Sequence, residues 1–181
     1  MLEYEKYIFP YFNTFELVEM NDEDIEKVRN FTSKLISVKL SESHHSIDRN
    51  KESKRWTNGY MGECAVEKYI DRKFVDFSIG SSNSYHIADM SRIGINCGIK
   101  TVEIGNFPII FKESKMPEII VIKESNYNYH ICGVATIKAL NIYQDESLII
   151  DENLRKRGTK TAFYGFEHLI HPKKLKERFT K

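Results

Sequence analysis

The sequence predicts an α/β domain, a central sheet flanked by helices. Three observations predict it. Apolar residues recur at helical spacing in two early segments: Ile25, Val28, Phe31, Leu35 and Ile36, then Ala65, Val66, Tyr69 and Ile70. Short Ile- and Val-rich runs follow, separated by Gly and Pro in the manner of strands. After Gly133 the run ATIKALNIYQ reads as a short helix.

Composition sets the outer limits. At 181 residues the chain is long enough to bury a core as one domain, and 41% hydrophobic with 29% charged residues is a globular balance. A formal net charge of +1 means that any basic surface must be local. Cys64, Cys97 and Cys132 are odd in number and far apart, with no C-x-x-C. That argues against a disulfide scaffold or structural zinc and fits a reducing compartment. The opening MLEYEKYIFPYF lacks the basic lead and apolar block of a signal peptide. No apolar run approaches the about 18 residues of a membrane span, so a cytoplasmic protein is expected.

In chain order, the first dozen residues show no clear period; Tyr7, Phe9 and Phe12 are expected to pin them onto the body. Asn21 or Asp22 reads as an N-cap, with Asp22, Glu23 and Asp24 suited to the positive end of a helix over 21–38. Residues 40–58 read as a polar, basic loop carrying Lys51, Lys54, Arg55 and Trp56. GYMGECAVEKYI, 59–70, reads as a second helix on which Glu63 and Glu67 share a face, Glu67 as a solvated residue. FVDFS from 74 is strand-like, and 80–84 a loop. Strands are expected at 85–90, 97–104, 108–112, 117–123 and 128–134. The tail, 145–181, is mixed, and nothing divides the chain into two domains: 1–58 holds the first helix and basic loop, 59–134 the core, and 135–181 a C-terminal extension.

The chemistry concentrates in DMSRIGINCGIKTVE, 89–103. An acid at the end of one strand and a lysine in the next, Asp89 and Lys100, is an arrangement found in metal-dependent phosphodiesterases. The carboxylate holds a hard cation through oxygen. The ion activates a water, and the lysine stabilises developing charge or orients that water. By itself D-x10-K is a weak signal, since ordinary hairpins contain it.

With Glu63 in GYMGECAVEKYI, Asp89 in HIADM and Lys100 in NCGIKTVE, the chain resembles the PD-(D/E)XK nuclease superfamily over roughly residues 59–134. The resemblance implies a restriction-endonuclease-like fold, a mixed central sheet flanked by helices. It implies Mg2+-dependent cleavage of phosphodiester bonds, with Mn2+ as a substitute and DNA favoured over RNA. Asp89 would be a metal ligand, the carbonyl of Ile99 a second, and Lys100 the catalytic lysine; Glu63 matches a glutamate that many members carry on the preceding helix. One departure stands out: the acid expected two positions before the lysine is Gly98. Glu63 or Glu103 could supply it. Glu63 is the better candidate, because Lys100 and Glu103 point to opposite faces of a strand. Otherwise the site is inactive, and the chain is a nucleic-acid-binding or protein-interaction module on the same fold. The resemblance allows for one subunit that cuts one strand or a homodimer that cuts two.

A second feature is the run RKRGTKTAFYGF, in which Arg155, Lys156, Arg157 and Lys160 precede Phe163, Tyr164 and Phe166. Cations beside aromatic faces suit a nucleic-acid backbone and unstacked bases; a charged loop capped by a buried aromatic turn has the same composition. Arg155, Arg157 and Lys160 are therefore candidate phosphate contacts, with Lys54 and Arg55 as the other wall. His44 and His45 read as a solvated loop, and His130 with Cys132 as core or surface positions rather than a metal site. No phosphate-binding P-loop, dinucleotide fingerprint or nucleophile elbow is present.

Overall fold

The computed structural model describes residues 2–42, 49–79 and 87–179. His44, His45, the 80–84 loop, Tyr85 and His86 lie outside them. The chain opens with α1 (Leu2–Tyr7) and a 3-10 turn (Phe9–Thr14), then β1 (Glu16–Glu19), α2 (Asp22–Glu42) and α3 (Arg49–Ile70). β2 (Gly98–Glu103), β3 (Ile109–Phe111), β4 (Glu118–Lys123) and β5 (Asn128–Ala135) follow. The C-terminal part holds α4 (Ile137–Ile142), β6 (Gln144–Asp145), α5 (Glu152–Lys156), β7 (Lys160–Phe163) and α6 (Pro172–Glu177).

A mixed four-stranded sheet runs β1-β5-β4-β2, with β2 and β4 parallel and the other pairs antiparallel. A second sheet, β3-β7-β6, is antiparallel. Alternation along the strands gives the first sheet two buried faces. Ile99, Ile119, Val121 and Ile131 pack against Val28 of α2 and Met61, Ala65 and Val66 of α3. Ile120, Ile122 and Cys132 pack the other way, against Ile110, Ala162 and Phe163 of the second sheet and Leu140 of α4.

The helix expected over 21–38 is α2, capped by Asn21, whose Oδ1 accepts the Asp24 N–H at 2.8 Å. The loop expected over 40–58 is a correction. α2 runs on to Glu42 and α3 begins at Arg49, so Lys54, Arg55 and Trp56 sit on helix. From 49 to 58 the chain has no Gly or Pro, and Glu52 pairs with Arg55 one turn on at 2.6 Å. Thr32 and Thr57 hydroxyls, 3.0 Å apart, tie this new turn of α3 to α2.

Other differences are local. Residues 74–78 belong to no strand, and the described part of 85–90 is a turn rather than a strand, because Ser91 N–H bonds back to Ala88 O. The first dozen residues form α1 and the 3-10 turn. Tyr4 and Ile8 anchor them in the core beside Tyr7 and Phe12, whereas Phe9 is 66% exposed and stacks on Phe12 outside the core. Glu67 is buried rather than solvated. Its Oε1 accepts the N–H groups of Phe74 and Val75 at 2.5 and 2.7 Å, so it clasps the chain that leaves α3.

Candidate active site

β2 lies at one end of the first sheet's order, and its backbone groups alternate between the β4 side and the open side. Gly98 N–H bonds to Pro117 O on the β4 side. Ile99 N–H therefore faces outward, where Asp89 Oδ2 accepts it at 2.6 Å. This bond holds Asp89 against the start of β2, and by the same alternation the Ile99 carbonyl opens toward that side. The turn that carries Asp89 is anchored by Met90, fully buried beneath it.

Lys100 and Gly98 share the opposite face of β2 from Ile99. The parallel register sets Gly98 beside Glu118, the first residue of β4. A Cβ built on Gly98 would lie 2.2 Å from Glu118 Oε2. Glu118 thus occupies the space an acidic side chain at 98 would need, and its Oε1 lies 3.8 Å from Lys100 Nζ. Its Oε2 is buried with no hydrogen-bond partner among the described residues.

Glu63 comes from the other face. Gly62 makes this possible: a Cβ there would meet Thr101 Oγ1 at 1.7 Å, so the absence of a side chain lets α3 lie directly on β2. Glu63, the next residue, then interacts with both Asp89 and Lys100. Three carboxylates from α3, the 87–97 turn and β4 thereby share one lysine.

The electrostatics record that crowding. Burial first, then Asp89 and Glu67, raise the Glu63 pKa well above the usual carboxylate range, against a lowering by Lys100. Burial also raises Asp89, opposed by the Ile99 N–H and by Lys100. Glu118 is pushed to about 7 by burial, with Lys100 and Lys160 pulling it down and Asp89 pushing it up. Glu103, the other sequence candidate for the missing acid, is engaged elsewhere. It pairs with Lys54 at 2.7 Å and Lys123 at 3.9 Å and accepts from Asn58. Burial tends to raise its pKa, but Lys54, Asn58 and Lys123 more than offset this and leave it lowered.

Of the basic residues, Lys160 reaches the site: burial, Lys100 and Arg55 bring its pKa down to about 8, against Glu118, which raises it. Arg55 is paired with Glu52, and Lys54 with Glu103. Arg155 and Arg157 are exposed at the end of α5. The expected aromatic partners are not at the surface: Phe163 and Phe166 are buried and Tyr164 packs against the same core. His130 is a core residue, tilted against the Phe12 ring and 3.1 Å from Glu124.

Glu118 is the residue sequence reasoning missed. Its signal was a lone acid opening the otherwise apolar strand EIIVIK, but only the β2–β4 register joins it to Gly98. Among the described residues no group of three or more His, Cys, Asp or Glu side chains is arranged to hold a metal ion, so an ion here would need backbone oxygen as well. Three surface cavities of about 240, 330 and 290 Å³ lie along α2, and none is lined by Glu63, Asp89, Lys100 or Glu118. Among the described residues no helix is long and apolar enough to cross a membrane. Comparison with protein-family models, curated proteins and solved structures found no match for this chain.

Proposed function

We propose that this chain is a Mg2+-dependent endodeoxyribonuclease of restriction-endonuclease-like fold, acting in the cytoplasm, with Mn2+ as a substitute ion. The observation that carries the reading is the meeting of Glu118, Asp89 and Lys100 around Gly98. Gly98 alone favours an inactive binding module; with Glu118 filling the space beside it, β4 supplies the acid that β2 lacks.

The donor set suits a hard divalent cation. Asp89, Glu118 and the Ile99 carbonyl offer only oxygen, and the buried, unpartnered Glu118 Oε2 is an acceptor that a cation would satisfy. When bound, such an ion lowers the pKa of a water and polarises the phosphate. The chain's own residues supply the remaining roles. The Lys100 ammonium donates to the phosphate oxygen on which negative charge develops. Glu63, whose carboxyl group holds its proton, donates it to the leaving oxygen as the ester bond breaks, while the attacking water gives its own proton to solvent. Lys160 and Arg55 draw the phosphate backbone toward this edge of the sheet.

The test is cleavage of plasmid and oligonucleotide DNA in Mg2+ or Mn2+ by the parent and by Asp89→Asn, Lys100→Ala and Glu118→Gln. The reading expects each variant to lose about a hundredfold or more in rate while remaining folded. A folded parent that binds DNA and cuts nothing with either ion would leave the inactive module. Variants as fast as the parent would remove these residues from the chemistry.

A further inference from the structure

The basic run that ends at Lys160 precedes three aromatics in sequence, yet those rings are turned into the core. The ring beside Lys160 comes from elsewhere. Phe111 of β3 is its register partner across the β3–β7 ladder, and it is 54% exposed. Lys160 Nζ lies 2.9 Å from the centre of the Phe111 ring. From there the ammonium interacts with Lys100 and Glu118 on β2 and β4, and with Arg55 on α3.

Two physical features make this more than a cross-strand pair. Lys160 is repelled by both Lys100 and Arg55, from two other elements, and Lys100 and Lys160 share the acid Glu118. A polyanion relieves that repulsion at more than one of them. Phe111, beside Lys160, is half open to solvent. Its ring offers a π-face that an unpaired base can use and a base held inside a duplex cannot.

Resting on the reading above, we propose that Phe111 and Lys160 form a platform for an unpaired nucleotide beside the cleavage site. Lys160 contacts the backbone phosphate next to the one Lys100 engages, and Phe111 stacks the base between them. The substrate class is then single-stranded DNA, or a single-stranded segment joined to duplex.

Fluorescence anisotropy in EDTA, where no cleavage occurs, tests this with a labelled single-stranded oligodeoxynucleotide and the blunt duplex of the same sequence. The parent should bind the single strand more tightly. Phe111→Ala should weaken single-strand binding about tenfold or more and leave duplex binding unchanged, whereas Phe111→Trp should keep it. Lys160→Met should weaken both and flatten the salt dependence by about one phosphate contact. Phe111 is exposed, so thermal melts of its variants should match the parent and exclude misfolding. The proposal is overturned if Phe111→Ala binds the single strand as tightly as the parent, or if the parent prefers the duplex. Cleavage in Mg2+ is read separately. Single-strand binding through Phe111 without cleavage refutes the nuclease reading and keeps the platform; cleavage unaffected by Phe111→Ala, with unchanged binding, does the reverse.

Discussion

Glu118→Gln examines the carboxylate that fills the space over Gly98. Its side chain is 11% exposed, and burial raises its pKa from 4.5 to about 7. The sign follows from proton counting. Between 4.5 and about 7 the native protein keeps a proton that the unfolded chain has released. Stability therefore falls as pH rises through this window and is lowest above it. At about 1.4 kcal/mol for each tenfold change in proton affinity, the rise corresponds to about 3 kcal/mol at most. Glu63 and Asp89, both raised, act in the same direction. Glutamine keeps the shape and removes the charge, so it deletes the Glu118 part of this slope. It also gives up the 3.8 Å ion pair with Lys100, worth about 1 kcal/mol or less. Urea unfolding in EDTA at about pH 5 and about pH 8.5 measures the difference. At the higher pH the variant should be about 2 kcal/mol more stable than the parent, and at the lower pH the two should be close. Saturating Mg2+ should reverse the order, because an ion at a hundred times its Kd adds about 2.7 kcal/mol to the parent. A parent whose stability is level or rises from acid to alkaline pH in EDTA would refute the reasoning. So would a variant no more stable than the parent at alkaline pH.

Asp89→Ala is expected from the sequence to be neutral or slightly stabilising, through relief of repulsion; the Ile99 N–H it would strand changes that. Losing this acceptor costs about 1–3 kcal/mol, so in EDTA melts Asp89→Ala should fall below Asp89→Asn, whose amide oxygen still accepts. Glu67→Ala should lower stability by about 2–4 kcal/mol in urea titrations, since two backbone N–H groups lose a charged acceptor; a neutral result would mean the turn after α3 satisfies them another way. Neutralising Arg155 and Arg157 together should weaken binding to all DNA sequences alike. The log–log salt slope should flatten by about two units, and an unchanged slope would make the end of α5 a solvated surface.

Much of the local structure was legible along the chain. The apolar spacing of α2, its Asn21 cap and the Ile and Val runs of β2 to β5 are short-range signals, because side-chain period and turn residues act over a few positions. Asp89 and Lys100 were legible for the same reason: they lie 11 residues apart on either side of one turn. The extent of α3 was not, because its basic first turns are polar all round and depend on contacts with α2 such as Thr32 with Thr57. Nor was the burial of Phe163 and Phe166, which look the same in sequence whether they face solvent or core. Glu67 reads as a surface acid until its clasp on Phe74 and Val75 is seen. By itself the sequence determined the element types, the mixed α/β character, and the acid and lysine of one edge. Tertiary structure alone decided which further groups join them. Parallel pairing of β2 with β4 brings Glu118 to Gly98, the close crossing at Gly62 brings Glu63 to Asp89, and the second sheet carries Lys160 and Phe111 alongside. Each is a meeting of residues distant in the chain, set by register and packing, and no local pattern encodes it.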